Sequence, residues 1–133
     1  QFNKTDIKEI KTFLYEDSYI ITAEIRLLDL YRRDPICTLF GKPGKNIGVT
    51  YNNESKILAF EFWTKGDDNT WDDFNFASFN GLKHTDLNRP VKISIARQGN
   101  SFTLYVNFEV SNKLRFKNNL IDLFKEEEDQ VIG

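Results

Sequence analysis

The feature that most constrains this chain is period-two alternation of apolar and polar residues, sustained through most of residues 19–110. Successive side chains of a strand point to opposite faces, so such alternation marks strands with one face buried and one face wet. In residues 19–27, Tyr19, Ile21, Ala23, Ile25 and Leu27 form one face, while Ile20, Thr22, Glu24 and Arg26 form the other. Further extended segments are predicted over 36–40, 46–51, 56–64, 71–79, 91–97 and 101–110. The breaks between them have turn chemistry: Gly41-Lys42-Pro43-Gly44-Lys45, Asn52-Asn53-Glu54-Ser55 and Gln98-Gly99-Asn100. Residues 80–90, which hold Gly81, His84 and Pro90, form the longest irregular stretch. Short strands separated by regular turns predict one all-β domain over residues 1–133, a sandwich or a barrel. No internal repeat or linker divides it.

Two segments have helical rather than strand spacing. Ile7, Ile10, Phe13 and Leu14 share a helix face in residues 3–14, with Asn3 or Thr5 as cap. Leu120, Ile121, Leu123 and Phe124 do the same after Asn118-Asn119. Glu126, Glu127 and Glu128 would crowd the negative end of that second helix's dipole.

Composition narrows the function classes. Twelve Phe, five Tyr and two Trp in 133 residues supply a large aromatic core. Phe60, Phe62, Phe102 and Phe108 are the expected core rings, with Phe102, Leu104, Val106 and Phe108 facing one way. Eighteen basic residues against 20 acidic ones give a net charge of −2, with the two signs interspersed. Phosphate neutralisation needs clustered Lys and Arg, so nucleic acid is not an expected partner. No apolar run approaches the roughly 18–20 residues of a membrane-spanning helix. The single cysteine, Cys37, allows no internal disulfide.

A family resemblance emerges at residues 91–110. Val91-Lys-Ile-Ser-Ile-Ala-Arg-Gln-Gly-Asn-Ser-Phe-Thr-Leu-Tyr-Val-Asn-Phe-Glu-Val110 resembles the hairpin of laminin-G-like domains, members of the concanavalin A-like lectin/glucanase group. Tyr19-Ile-Ile-Thr-Ala-Glu-Ile-Arg-Leu27 is similar to that family's early core strand. Thr38-Leu-Phe-Gly-Lys-Pro-Gly-Lys-Asn-Ile-Gly-Val-Thr-Tyr51 and Lys56-Ile-Leu-Ala-Phe-Glu-Phe-Trp63 are similar to its central meander. The resemblance implies an antiparallel jelly-roll sandwich and a lectin-like or adhesive role, outside the cell or on its surface. Two departures stand out. Asn107-Phe108 replaces the family's Asp-Gly turn, and the chain stops at Val131-Ile132-Gly133, where relatives continue into a further core strand. The latter makes a module of a larger protein the expectation.

Glycoside hydrolases of this group carry Glu-x-Asp-x-x-Glu on one strand, so that alternation aims the carboxylates into the cleft. That spacing is absent: Glu24 and Asp29 fall on opposite faces, and Glu61 has no acidic partner two residues away. His84 has no Cys or Ser at a catalytic spacing, and Cys37 sits in an apolar strand where a thiol is ordinarily inert. No catalytic residues are therefore assigned. The segment Trp63-Thr-Lys-Gly-Asp-Asp-Asn-Thr-Trp71-Asp-Asp-Phe-Asn-Phe76 offers rings on which sugar C–H faces stack and carboxylates that accept hydroxyls. Trp63, Asp67, Asp68, Trp71, Asp72 and Asp73 are the expected ligand-binding residues. The competing reading is a solvated acidic turn whose aromatics enter the core. No cofactor is expected; Asp67, Asp68, Asn69, Asp72 and Asp73 could contribute oxygens to calcium, although no Asp-x-Asp-x-Asp-Gly ladder is present. The strand over 56–64 is apolar on both faces, which fits either a doubly covered strand or one carrying a ligand face. Two glycosylation sequons, Asn3-Lys4-Thr5 and Asn53-Glu54-Ser55, complete the motifs. The expected function is a non-catalytic glycan-binding module, with a protein-interaction domain or a structural accessory domain as alternatives.

Overall fold

The computed structural model describes residues 9, 12–26, 35–42, 45–52, 57–66, 72–82 and 88–121. Eight strands follow one another: β1 (Ser18–Arg26), β2 (Pro35–Lys42), β3 (Lys45–Asn52), β4 (Ile57–Lys65), β5 (Asp72–Ser78), β6 (Pro90–Gln98), β7 (Ser101–Val106) and β8 (Glu109–Arg115). They form two antiparallel four-stranded sheets, ordered β1-β6-β7-β8 and β2-β3-β4-β5. The second sheet is a meander inserted between β1 and the β6–β8 meander that rejoins it. The sequence expectation of an all-β chain is met, with the bounds of β1 to β6 within a residue or two of those expected. Glu9 and Thr12–Leu14 are helical, in line with the first helical spacing, while Asn3 and Thr5 lie outside the described residues. Among the described residues no helix is long and apolar enough to cross a membrane.

The alternation predicted from sequence decides which side chains meet between the sheets. Leu58, Phe60 and Phe62 of β4 are fully buried, and so are Phe102 and Leu104 of β7. The rings of Phe60 and Phe62 each lie 4.9 Å from that of Phe102, at tilted or edge-on angles. Phe116, just after β8, closes the cluster at 5.2 Å from Phe62 and 5.5 Å from Phe102. Offset and edge-to-face pairs of this kind add about 0.5–1.5 kcal/mol each beyond burial. Ile47 and Val49 of β3 and Val91, Ile93 and Ile95 of β6 complete the apolar interior. At one end Arg97 is buried: its Nε donates to the Gly99 carbonyl (3.0 Å), its Nη1 donates to that of Leu14 (3.4 Å), and its guanidinium lies over the Phe116 ring.

Three expectations are corrected. First, residues 101–110 are not one strand. β7 ends at Val106 and β8 begins at Glu109, with Val106 and Glu109 paired across a two-residue loop. Asn107 (φ 49°) and Phe108 (φ 69°) are both left-handed, the pattern of a type I′ hairpin turn. Second, Phe108 is therefore 69% exposed rather than part of the core, with Lys92 Nζ 5.2 Å from its ring centre. Asn107 anchors the turn: its amide donates to the Lys92 carbonyl (2.7 Å), and its Oδ1 accepts from the Lys92 amide (3.1 Å). Third, Leu120 and Ile121 do not begin a helix. Leu120 forms an antiparallel bridge with Thr64, Lys65 donates its amide to Asn119, and Ile121 donates to Trp63. β3 pairs with β4 only as far as Gly48↔Glu61, so the last residues of β4 keep backbone groups free for the returning chain. Satisfying those groups while burying Leu120 outweighs the helical spacing. Leu123 and Phe124 lie outside the described residues.

A bulky residue at φ 69° carries strain of about 1–2 kcal/mol relative to glycine, and little burial offsets it. Phe108→Gly should raise stability by about 0.5–1 kcal/mol, after allowance for glycine's chain entropy and the Lys92–ring contact. Urea denaturation checks this; a loss of stability would mean that the Phe108 side chain supports the hairpin.

Candidate functional site

With Phe60 and Phe62 turned inward, the intervening residues of β4 must face away from the other sheet. Trp63, Glu61, Ala59 and Ile57 do so, and register places Phe74 opposite Trp63, Phe76 opposite Glu61 and Ser78 opposite Ala59. On the other flank Gly48 lies opposite Glu61 and Thr50 opposite Ala59. The outer face of β3–β4–β5 thus has a floor of two small buried residues, Gly48 and Ala59, beside a bank of rings. Phe74 is 50% exposed and Phe76 52%; their rings are nearly parallel, 6.4 Å apart. Half-buried Trp63 lies 5.2 Å from Phe74. Ile57, 42% exposed, extends the apolar surface along β4.

Glu61 stands in the middle of this face. It is partly buried, and no described residue gives it a hydrogen bond or an ion pair. Burial raises its carboxyl above the ordinary value, and no described cation opposes the shift. Its cross-strand neighbours are Gly48 and Phe76, so neither adjoining strand sets a carboxylate opposite it.

Of the residues expected from sequence, Trp63 is on this outer face. Asp73 is exposed and registers with Thr64, one step out of phase with the Trp63–Phe74 pair. Thr64 is buried on the core side, where its hydroxyl accepts from Asn75 Nδ2 (3.0 Å). Asp72 registers with Lys65 at the end of the β4–β5 pair. Asp67, Asp68, Asn69 and Trp71 lie outside the described residues, in the segment joining β4 to β5. Among the described residues no group of three or more His, Cys, Asp or Glu is gathered to hold a metal ion. Sequence reasoning left Phe74, Phe76 and Glu61 out of the site. The signal that could have found them was the doubly apolar 56–64 strand, whose second face needed a partner or a ligand. No protein-family model matches the chain, and no curated protein is significantly similar to it.

Proposed function

We propose that this domain is a non-catalytic, lectin-like carbohydrate-binding module that holds glycans on the outer face of β4 and β5. The observation that carries the reading is the row of Trp63, Phe74 and Phe76, three rings left at least partly exposed side by side on a regular sheet. Sugar rings present flat C–H faces to such a surface, while Glu61 supplies a polar contact at its centre, and Asp67, Asp68, Trp71 and Asp72 are the proposed source of further contacts. Those carboxylates are what a calcium ion would bind in this reading. The resemblance to laminin-G-like domains supports the same reading, and with it a jelly-roll relationship for the two sheets and an extracellular or cell-surface setting. The test is a glycan array run with and without calcium, followed by affinity measurements on the strongest hit. Trp63→Ala and Phe76→Ala should each weaken binding about tenfold or more, as loss of a central aromatic anchor does. Absence of any glycan bound, or affinities unmoved by both substitutions, would overturn the proposal.

A second reading, a protein-interaction or adhesion surface, is favoured by one observation. Phe74, Phe76 and Ile57 carry no hydrogen-bonding group, and exposed apolar surface of this kind also suits a protein partner. A partner whose binding Trp63→Ala abolishes, with sugar arrays blank, would select it.

A further inference from the structure

The outer face of the second sheet has an electrostatic character beyond its aromaticity. The faces of Trp63, Phe74 and Phe76 carry the negative end of the ring quadrupole and attract cations. Glu61 adds a carboxyl directly opposite Phe76 and two residues from Trp63 on the same face. Glycine at position 48 leaves the β3 flank of that carboxyl without a side chain to cover it. The neighbouring outer positions are Ala59, Trp63, Gly48, Thr50, Phe74, Phe76 and Ser78, none of them a cation. The nearest basic residue on that face of β4 is Lys65, about 13 Å along the strand, where it registers with Asp72. Rings and an acid with no counter-ion among the described residues leave the positive charge to be supplied by the ligand. A neutral hydroxyl would bond the carboxylate, but an ammonium group gains both a charge-assisted hydrogen bond and the attraction of the rings.

We infer that this face selects glycans bearing a free amine, with the sugar ammonium seated between the Glu61 carboxylate and the rings of Trp63 and Phe76. The inference rests on the outer face being the glycan-binding face, and its test separates the two. Titration calorimetry would compare glucosamine oligosaccharides with N-acetylglucosamine oligosaccharides of equal length, on the wild type, Glu61→Gln and Trp63→Ala, each checked by circular dichroism. The free-amine sugar should bind the wild type about tenfold more tightly than its acetylated counterpart. Glu61→Gln should abolish that preference by weakening the free-amine sugar about tenfold more than its acetylated counterpart, and Trp63→Ala should weaken both. The preference should also fade in acid, as the Glu61 carboxyl is neutralised, and at high salt. Equal affinity for the two sugars, or a preference that survives Glu61→Gln, overturns the inference and leaves glycan binding standing. If neither sugar binds while a lysine-rich peptide does, this inference is overturned together with the glycan reading of the face.

Discussion

Phe102→Ala should destabilise the domain by about 3–5 kcal/mol, the range for truncating a fully buried phenylalanine. The ring contacts Phe60 and Phe62 from the opposite sheet, Phe116 from the segment after β8, and the Tyr19 ring at 6.4 Å. Its removal deletes several aromatic pairs at once and opens a cavity lined by rigid rings, which collapse poorly into empty space. Against a typical total of about 5–15 kcal/mol, a loss of that size leaves the fold marginal. Urea titration should show a lower midpoint with an unchanged slope. Phe102→Leu, which keeps most of the apolar volume, should fall between the wild type and Phe102→Ala and remain measurable if the alanine variant fails to fold. A cost below about 1 kcal/mol for Phe102→Ala would mean that the two sheets are held together elsewhere.

The same residues explain how much of this structure was legible in advance. Alternation on β1, β6 and β7 made their inward faces readable, because one-sided burial leaves a period-two trace. Periodicity did not separate β8 from β7, since the turn is built from Asn-Phe rather than Asn-Gly, and only the family resemblance marked Asn107-Phe108 as a turn position. Asn107 gave half of the turn signal, and Phe108, a residue rarely left-handed, concealed the rest. At Leu120 the helical spacing was real but lost to backbone groups on β4 that only the tertiary structure reveals. The candidate face was half legible. Trp63 stood out by residue type, whereas Phe74 and Phe76 were indistinguishable from core aromatics until the register of β5 against β4 set them outward. Glu61 could be read from sequence as lacking an acidic partner, but not as a carboxyl hemmed in by rings.

The second large effect is alkaline. Tyr19 on β1 is buried beside Phe102 and Phe13, and no described residue hydrogen-bonds its hydroxyl. Burial pushes its pKa up from 10.0 to about 12, with Arg97, through its charge and its hydrogen bonding to the ionised phenolate, pulling more weakly the other way. Below pH 10 the phenol is protonated in both folded and unfolded chains, so it gives stability no pH dependence. Between pH 10 and 12 the unfolded chain releases the proton while the folded one retains it, so stability must fall as pH rises. A two-unit gap corresponds to about 2–3 kcal/mol lost across that window, with no further loss above it. The informative quantity is the difference from Tyr19→Phe, in which contributions from every other group cancel. That variant removes an unsatisfied buried hydroxyl and should match or exceed the wild type at pH 8. From pH 8 to pH 12 it should lose about 2–3 kcal/mol less than the wild type in urea unfolding. Parallel pH profiles for the two proteins would show that the phenol ionises freely and that the β1 end of the interior admits water.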